Sequence, residues 1–189
     1  MSGDPGAVWT AFLRDVDDVA ATSACTVDLH CLGGFVMSAA YGMPRPTGDL
    51  DVFEVVPATA LRLLIEKAGR GTPLARRHGL FLDANSRLAT VPERYIERLT
   101  ELFPARFAHL RVLAFDPYDL ALSKLERNVD RDRSDVLWLA QSRELDLAVL
   151  RDRYVTEVRP LITGLVARHD LTLDLWIDMI EEVRARRDV

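Results

Sequence analysis

The fold turns on His30-Cys31-Leu32-Gly33-Gly34-Phe35-Val36-Met37-Ser38-Ala39-Ala40-Tyr41-Gly42-Met43-Pro44-Arg45-Pro46-Thr47-Gly48-Asp49-Leu50-Asp51-Val52. TVDLHCL (Thr26 to Leu32) is β-branched at its start and ends at Gly33-Gly34, and small residues follow; this predicts a strand, a tight turn and a short helix. Pro44, Pro46 and Gly48 then bound DLDVFEVV (Asp49 to Val56), which reads as a second strand. Side chains alternate along a strand, so Asp49 and Asp51 share one face while Leu50 and Val52 point into the core. Two adjacent carboxylates repel unless a cation neutralises them, and hard oxygen donors suit Mg²⁺ (or Mn²⁺). A glycine pair brings backbone N–H groups close to phosphate oxygens, and the helix after it turns its positive end toward them. Each half has a plain explanation alone: a strand-to-helix turn, or an edge strand with a solvated acidic face. Their combination in one segment points to phosphate and metal meeting at one place.

Working outward, Ser2 or Asp4 caps a first helix with Pro5 near its start, and Val8, Trp9, Phe12, Leu13, Val16, Val19 and Ala20 form its apolar stripe. A helix from Pro57 to about Ala68 stops at Gly69 and Gly71; HGLFLDA (His78 to Ala84) reads as a third strand, VPERYIERLTELF as a helix from Pro92, and HLRVLAF (His109 to Phe115) as a fourth strand. Asp116-Pro117-Tyr118-Asp119 has the form of an N-cap, an N1 proline and an acidic first turn, opening a helix to about Asn128. From Arg131 onward only helical signals remain, and Trp9, Trp138 and Trp176 read as core residues. The 189 residues, 49% hydrophobic, suit one compact domain or a domain with a helical annex. A net charge of −5 argues against a surface that is basic throughout, although a local basic patch remains open. Cys25 and Cys31 have neither disulfide-scaffold nor zinc spacing, and no apolar run approaches the ~18 residues of a membrane span, so a cytoplasmic protein is expected.

This pattern resembles the nucleotidyltransferase superfamily, whose signature is a Gly-Gly or Gly-Ser turn, a short helix and an acidic D-x-D strand. It is closest to the bacterial abortive-infection group, the AbiEii and MenT-like toxins. The corresponding positions are Gly33, Gly34, Tyr41, Arg45, Thr47, Asp49 and Asp51. A downstream block, Asp119 to Arg127 followed by Arg131 to Val136, matches a helix with a lysine, an arginine and an acidic pair. Gly34 stands where many members have Ser, and fourteen residues separate it from Asp49, slightly more than is usual. The resemblance implies a third carboxylate from a neighbouring strand, for which Asp83 is best placed, with His78 or Glu54 in reserve; a loop-capping role before Asn85 and Ser86 is the other reading of Asp83. It also implies that Asp49, Asp51 and Asp83 hold metal while Gly33, Gly34, Arg45, Thr47, Lys124 and Asp135 serve the nucleotide. Arg45 either pairs with Asp49 or Asp51 or grips phosphate; Asp132 and Asp135 either orient Lys124 and Arg127 or form a second acidic patch. His30 reads as a packed strand histidine or a general base.

The resulting expectation is an α+β nucleotidyltransferase fold with a small mixed sheet over residues 1–128 and a C-terminal helical section, 129–189. Its activity would be in-line transfer of a nucleoside monophosphate from an NTP to a hydroxyl of RNA (a tRNA end, for example) or protein, in the manner of a toxin with an antitoxin partner. An RNA acceptor would need a basic surface, with residues available at Arg76-Arg77-His78, at Arg131 and Arg133, and at Arg184, Arg186 and Arg187. The alternative is a catalytically inactive binding or regulatory module acting through a protein partner. No GxGxxG follows the first strand, which disfavours a dinucleotide-binding oxidoreductase.

Overall fold

Val27–Cys31 (β1) and Asp49–Val56 (β2) each turn a row of apolar side chains to a buried face, and that alternation organises the sheet. The computed structural model describes residues 5–23, 25–84, 89–143 and 145–187. Phe81–Asp83 (β3), Thr100–Leu102 (β4) and Leu110–Ala114 (β5) join the two central strands in a five-stranded sheet of order β3-β2-β1-β5-β4. β1 is parallel to β5 and antiparallel to β2, β2 is parallel to β3, and β4 is antiparallel to β5, so the sheet is mixed as expected. Leu29 pairs with Val55 and Cys31 with Val52, leaving Phe53 as the extra residue of a bulge. Leu50, Val52 and Val55 therefore all lie on the buried face, each at most 1% exposed, and Asp49 and Asp51 lie on the other.

Pro5–Ala20 (α1) buries Trp9, Phe12, Leu13, Val16 and Ala20, while Val8 from the expected stripe is exposed. The caps proposed at Ser2 and Asp4 lie outside the described residues. The short helix Gly33–Ala39 (α2) follows β1 directly and buries Phe35, Val36 and Met37, with the Phe35 ring edge-on to Trp9 at 4.6 Å. After a 3-10 turn at Ala58–Ala60, Leu61–Ala68 (α3) ends at Gly69. Pro73–His78 (α4) starts on a Thr72 cap, whose hydroxyl accepts from the Ala75 N–H.

The described chain divides into two compact units, Met1–Leu88 with Leu99–Phe115, and Ala89–Arg98 with Asp116–Val189. In the second, Pro117–Leu122 (α5), Asp130–Ser142 (α6), Leu147–Arg153 (α7) and Val166–Arg187 (α8) enclose Leu139, Leu150, Tyr154 and Trp176. Asp116 caps α5 through the Asp119 N–H, as the sequence predicts. Asp119, fully buried, accepts from Arg98 and Arg153, and Arg98 also donates to Glu157 at 2.7 Å. Burial works against the Arg98 charge, yet the bonds to Glu157 and Asp119 hold its pKa above the ordinary guanidinium value.

Three expectations are corrected. The helix expected from Pro92 is a 3-10 turn, Tyr95–Arg98, running into β4, because pairing with β5 captures Thr100–Leu102. The third strand is confined to Phe81–Asp83, since α4 takes the residues up to His78. The helix expected to reach Asn128 ends at Leu122. Within the second unit, Asp119 and Asp116 tie α5 to Arg98 and Arg153. Among the described residues no helix is long and apolar enough to cross a membrane.

Candidate active site

Gly33 and Asp51 are built around each other. A Cβ added to Gly33 would lie 1.9 Å from Asp51 Oδ2 and 2.5 Å from its Cγ, and Gly33 has a φ of 69° that disfavours any other residue. The next residue, Gly34, donates its N–H to Asp51 Oδ2 at 3.2 Å, and the Leu32 N–H donates to the Asp51 carbonyl at 3.1 Å. The glycine corner is thus fastened to the acidic strand through the second aspartate of D-x-D. Cys31, wholly buried nearby, has its thiol pushed far above its usual range by burial first and by the Asp51 carboxylate second.

The other carboxylates follow from register. Asp51 stands opposite Asp83 and Leu50 opposite Leu82 in the parallel pairing of β2 with β3. Register partners in a parallel pair share a face, so Asp83 flanks Asp51 while buried Leu50 and Leu82 face the core. Asp49 lies two residues back on the same face and accepts from the Thr47 hydroxyl. Asp49, Asp51 and Asp83 are all half-buried. The loop-capping alternative for Asp83 involves Asn85 and Ser86, outside the described residues. Of the reserves, His78 bonds Asp15 of α1 at 2.8 Å, and Glu54 lies 3.7 Å from His30. Burial lowers the His30 pKa below the usual imidazole value despite Glu54, which suits a packed neutral histidine.

Among the described residues no three His, Cys, Asp or Glu side chains stand together as a metal cage. The donors present are hard carboxylate oxygens on one strand face, with Asp83 in register beside them, and this chemistry fits a divalent cation held by a carboxylate pair rather than by a closed protein cage.

The remaining motif positions divide between structural and charged roles. The Tyr41 hydroxyl donates to the Phe115 carbonyl at 2.6 Å, anchoring the segment after α2 to the end of β5. Arg45 is half-buried in the Pro-rich connection. In the second unit, Lys124 is 6% exposed and donates to Asp135 at 2.9 Å, with Asp132 at 3.9 Å; Asp132 also accepts from Arg127. Of the two readings of the acidic pair, the structure selects the one in which Asp132 and Asp135 orient Lys124 and Arg127. Glu126 is exposed.

The basic clusters are largely matched internally. Arg77 and His78 bond Asp15, Arg133 bonds Asp130, Arg184 donates to the Leu145 carbonyl and Arg186 bonds Glu182; the side chain of Arg187 lies outside the description. One feature escaped sequence reasoning: a cavity of about 370 Å³ lined in part by Leu61, Ile65, Phe81 and Asp83, with the Arg70 guanidinium 4.0 Å from the Phe81 ring centroid. Its only sequence signal is an Arg and an aromatic near the glycine break after α3.

No curated protein and no solved structure matches the chain. A family described as nucleotidyltransferase of unknown function (DUF6036) matches residues 12–184, a span that includes the glycine corner, the acidic strand, Asp83 and the Lys124–Asp135 pair. The chain belongs to that nucleotidyltransferase family.

Proposed function

We propose that the protein transfers a nucleoside monophosphate from an NTP to a hydroxyl acceptor, with Mg²⁺ or Mn²⁺ held by Asp49 and Asp51 and with Asp83 beside them. The observation that carries this reading is the Gly33–Asp51 fit, which brings a Cβ-free backbone corner against a row of carboxylates. A divalent ion bound there supplies charge neutralisation of the triphosphate and acidifies the attacking hydroxyl. The chain's own residues do the positioning. Asp51 is fixed by Gly34, Asp49 is oriented by Thr47, and Asp83 is in register to accept the acceptor's proton. Arg45 is the cation assigned to the phosphates, and within the second unit Asp135 holds Lys124.

The finer assignment to the AbiEii/MenT-like toxins, with an RNA or protein acceptor and an antitoxin partner, rests on the two motif blocks alone. An inactive regulatory module is favoured by one observation, the engagement of Lys124 with Asp135 in a buried pair. Thermal melting with Mg²⁺ and each of the four NTPs tests the proposal, because a ligand of the native state raises the melting temperature. An Mg²⁺-dependent rise with at least one NTP, absent in Asp51→Asn, is expected; no rise with any NTP in the wild type contradicts it.

A further inference from the structure

We infer that the cavity at the outer edge of β3 is the acceptor subsite and receives a single nucleotide unit, its hydroxyl directed to Asp83. The inference rests on the nucleotidyltransferase reading above and adds the place and the chemistry of the acceptor. Sheet order supplies the place. β2 lies between β1 and β3, so its carboxylates have the glycine corner on one side and β3 with the cavity on the other. In an in-line displacement the attacking and leaving oxygens occupy opposite sides of the phosphorus. With the triphosphate at Gly33-Gly34, the attacking hydroxyl must enter from the β3 side, where Asp83 lines the cavity.

The cavity's lining supplies the chemistry. Leu61, Ile65 and Leu82 give apolar walls, and Phe81 with Arg70 above it at 4.0 Å forms a flat aromatic and cationic platform. Such platforms stack nucleobases and hold the attached phosphate. The volume, about 370 Å³, falls in the roughly 300–1,000 Å³ range of small-ligand sites. Charge points the same way. Between Leu61 and His78 stand Arg62, Lys67, Arg70, Arg76 and Arg77 against one acid, Glu66, in a chain of net charge −5. Glu66 answers Arg62 and Asp15 answers Arg77, which among the described residues leaves Lys67, Arg70 and Arg76, the last donating to the Gly71 carbonyl, as the excess positive charge. In the step itself the acceptor oxygen forms a bond to the α-phosphorus, its proton passes to the Asp83 carboxylate, and the bond to the bridging oxygen breaks. Pyrophosphate leaves with that electron pair.

The test measures binding of a fluorescein-labelled single-stranded RNA with a free 3′-hydroxyl, and of mixed nucleoside monophosphates as competitors, without NTP. Arg70→Glu and Ile65→Glu change exposed side chains, so both variants are expected to fold. Each should weaken binding about tenfold or more and leave the NTP-induced melting shift intact. Arg62→Glu, with the same charge change as Arg70→Glu but on α3 and outside the cavity lining, should have a smaller effect. Tighter binding of RNA than of mononucleotide assigns the chain terminus as the occupant, and equal affinity assigns the free nucleotide. Binding of neither, an Arg62→Glu loss equal to that of Arg70→Glu, or loss of the NTP shift in the cavity variants overturns the inference. Absence of the NTP shift in the wild type, with acceptor binding intact, strikes the donor reading and not the cavity.

Discussion

Gly33→Ala is the sharpest perturbation available, because two separable penalties meet at one atom. A Cβ at Gly33 would lie 1.9, 2.5 and 2.8 Å from Oδ2, Cγ and Cβ of Asp51, so no rotation of a flexible tip relieves it. Either the Asp51 side chain leaves the corner or the turn shifts. Both outcomes break the Gly34 N–H bond to the carboxylate, a charge-assisted bond worth about 1.5–3 kcal/mol. The left-handed φ of 69° adds about 1–2 kcal/mol for alanine, giving a total of about 2.5–5 kcal/mol. Gly42 is the internal control: it has the same φ, 69°, but nothing within 4 Å of an added Cβ, so Gly42→Ala should show the backbone penalty alone. Urea denaturation of both variants measures the difference. In an Asp51→Ala background the Oδ2 and Cγ contacts vanish, and the excess cost of Gly33→Ala should shrink by about the value of the lost bond. Equal destabilisation by Gly33→Ala and Gly42→Ala would refute the packing of glycine corner against aspartate.

Lys124→Ala removes half of a buried ion pair and should cost about 3–5 kcal/mol by urea denaturation; a cost below about 1 kcal/mol would show that the pair does not form. Glu157 is held below its ordinary value of 4.5, chiefly by the hydrogen bond from Arg98. Its folded pKa is depressed, so its contribution is present above about pH 4.5 and is lost as pH falls through the folded value; Glu157→Gln should flatten the stability change between about pH 5 and pH 3. Asp49→Asn and Asp51→Asn should each lower nucleotide transfer by at least about a hundredfold in a labelled-NTP assay, with midpoints of unfolding showing that both remain folded. Chelation of divalent ions should abolish the same transfer and Mg²⁺ or Mn²⁺ restore it; transfer unaffected by chelation would remove the metal from the account.

What could be read from the sequence was local. Asp49–Val56 was legible because breakers bound it and its acids alternate with apolar residues, and Asp116-Pro117 because cap and proline act on the next few peptide groups. β4 was illegible, since Thr100–Leu102 is short, mostly exposed, and a strand only through pairing with Leu110–Ala114. Thr72-Pro73 carries an ordinary helix-start signal for α4, whereas Arg76-Arg77-His78 after it reads as a basic surface available to RNA. At the site, the D-x-D face followed from strand period, whereas the neighbourhood of Asp83 and Asp51 depends on parallel register across more than thirty intervening residues. The glycine pair was legible as a corner. That its first member makes room for Asp51 was not, because the contact joins two elements whose approach no local pattern encodes. The pairing of Lys124 with Asp135 likewise depends on how α6 packs after the turn that follows α5.

Transfer of label from α-labelled NTP, compared with γ-labelled NTP, tests the central claim most directly. Incubated with Mg²⁺ and total RNA or cell lysate, the wild type should move the α-label onto an acceptor and release the γ-label as pyrophosphate, and Asp51→Asn should do neither. Transfer of the γ-label, or α-label incorporation unchanged in Asp51→Asn, would contradict the account.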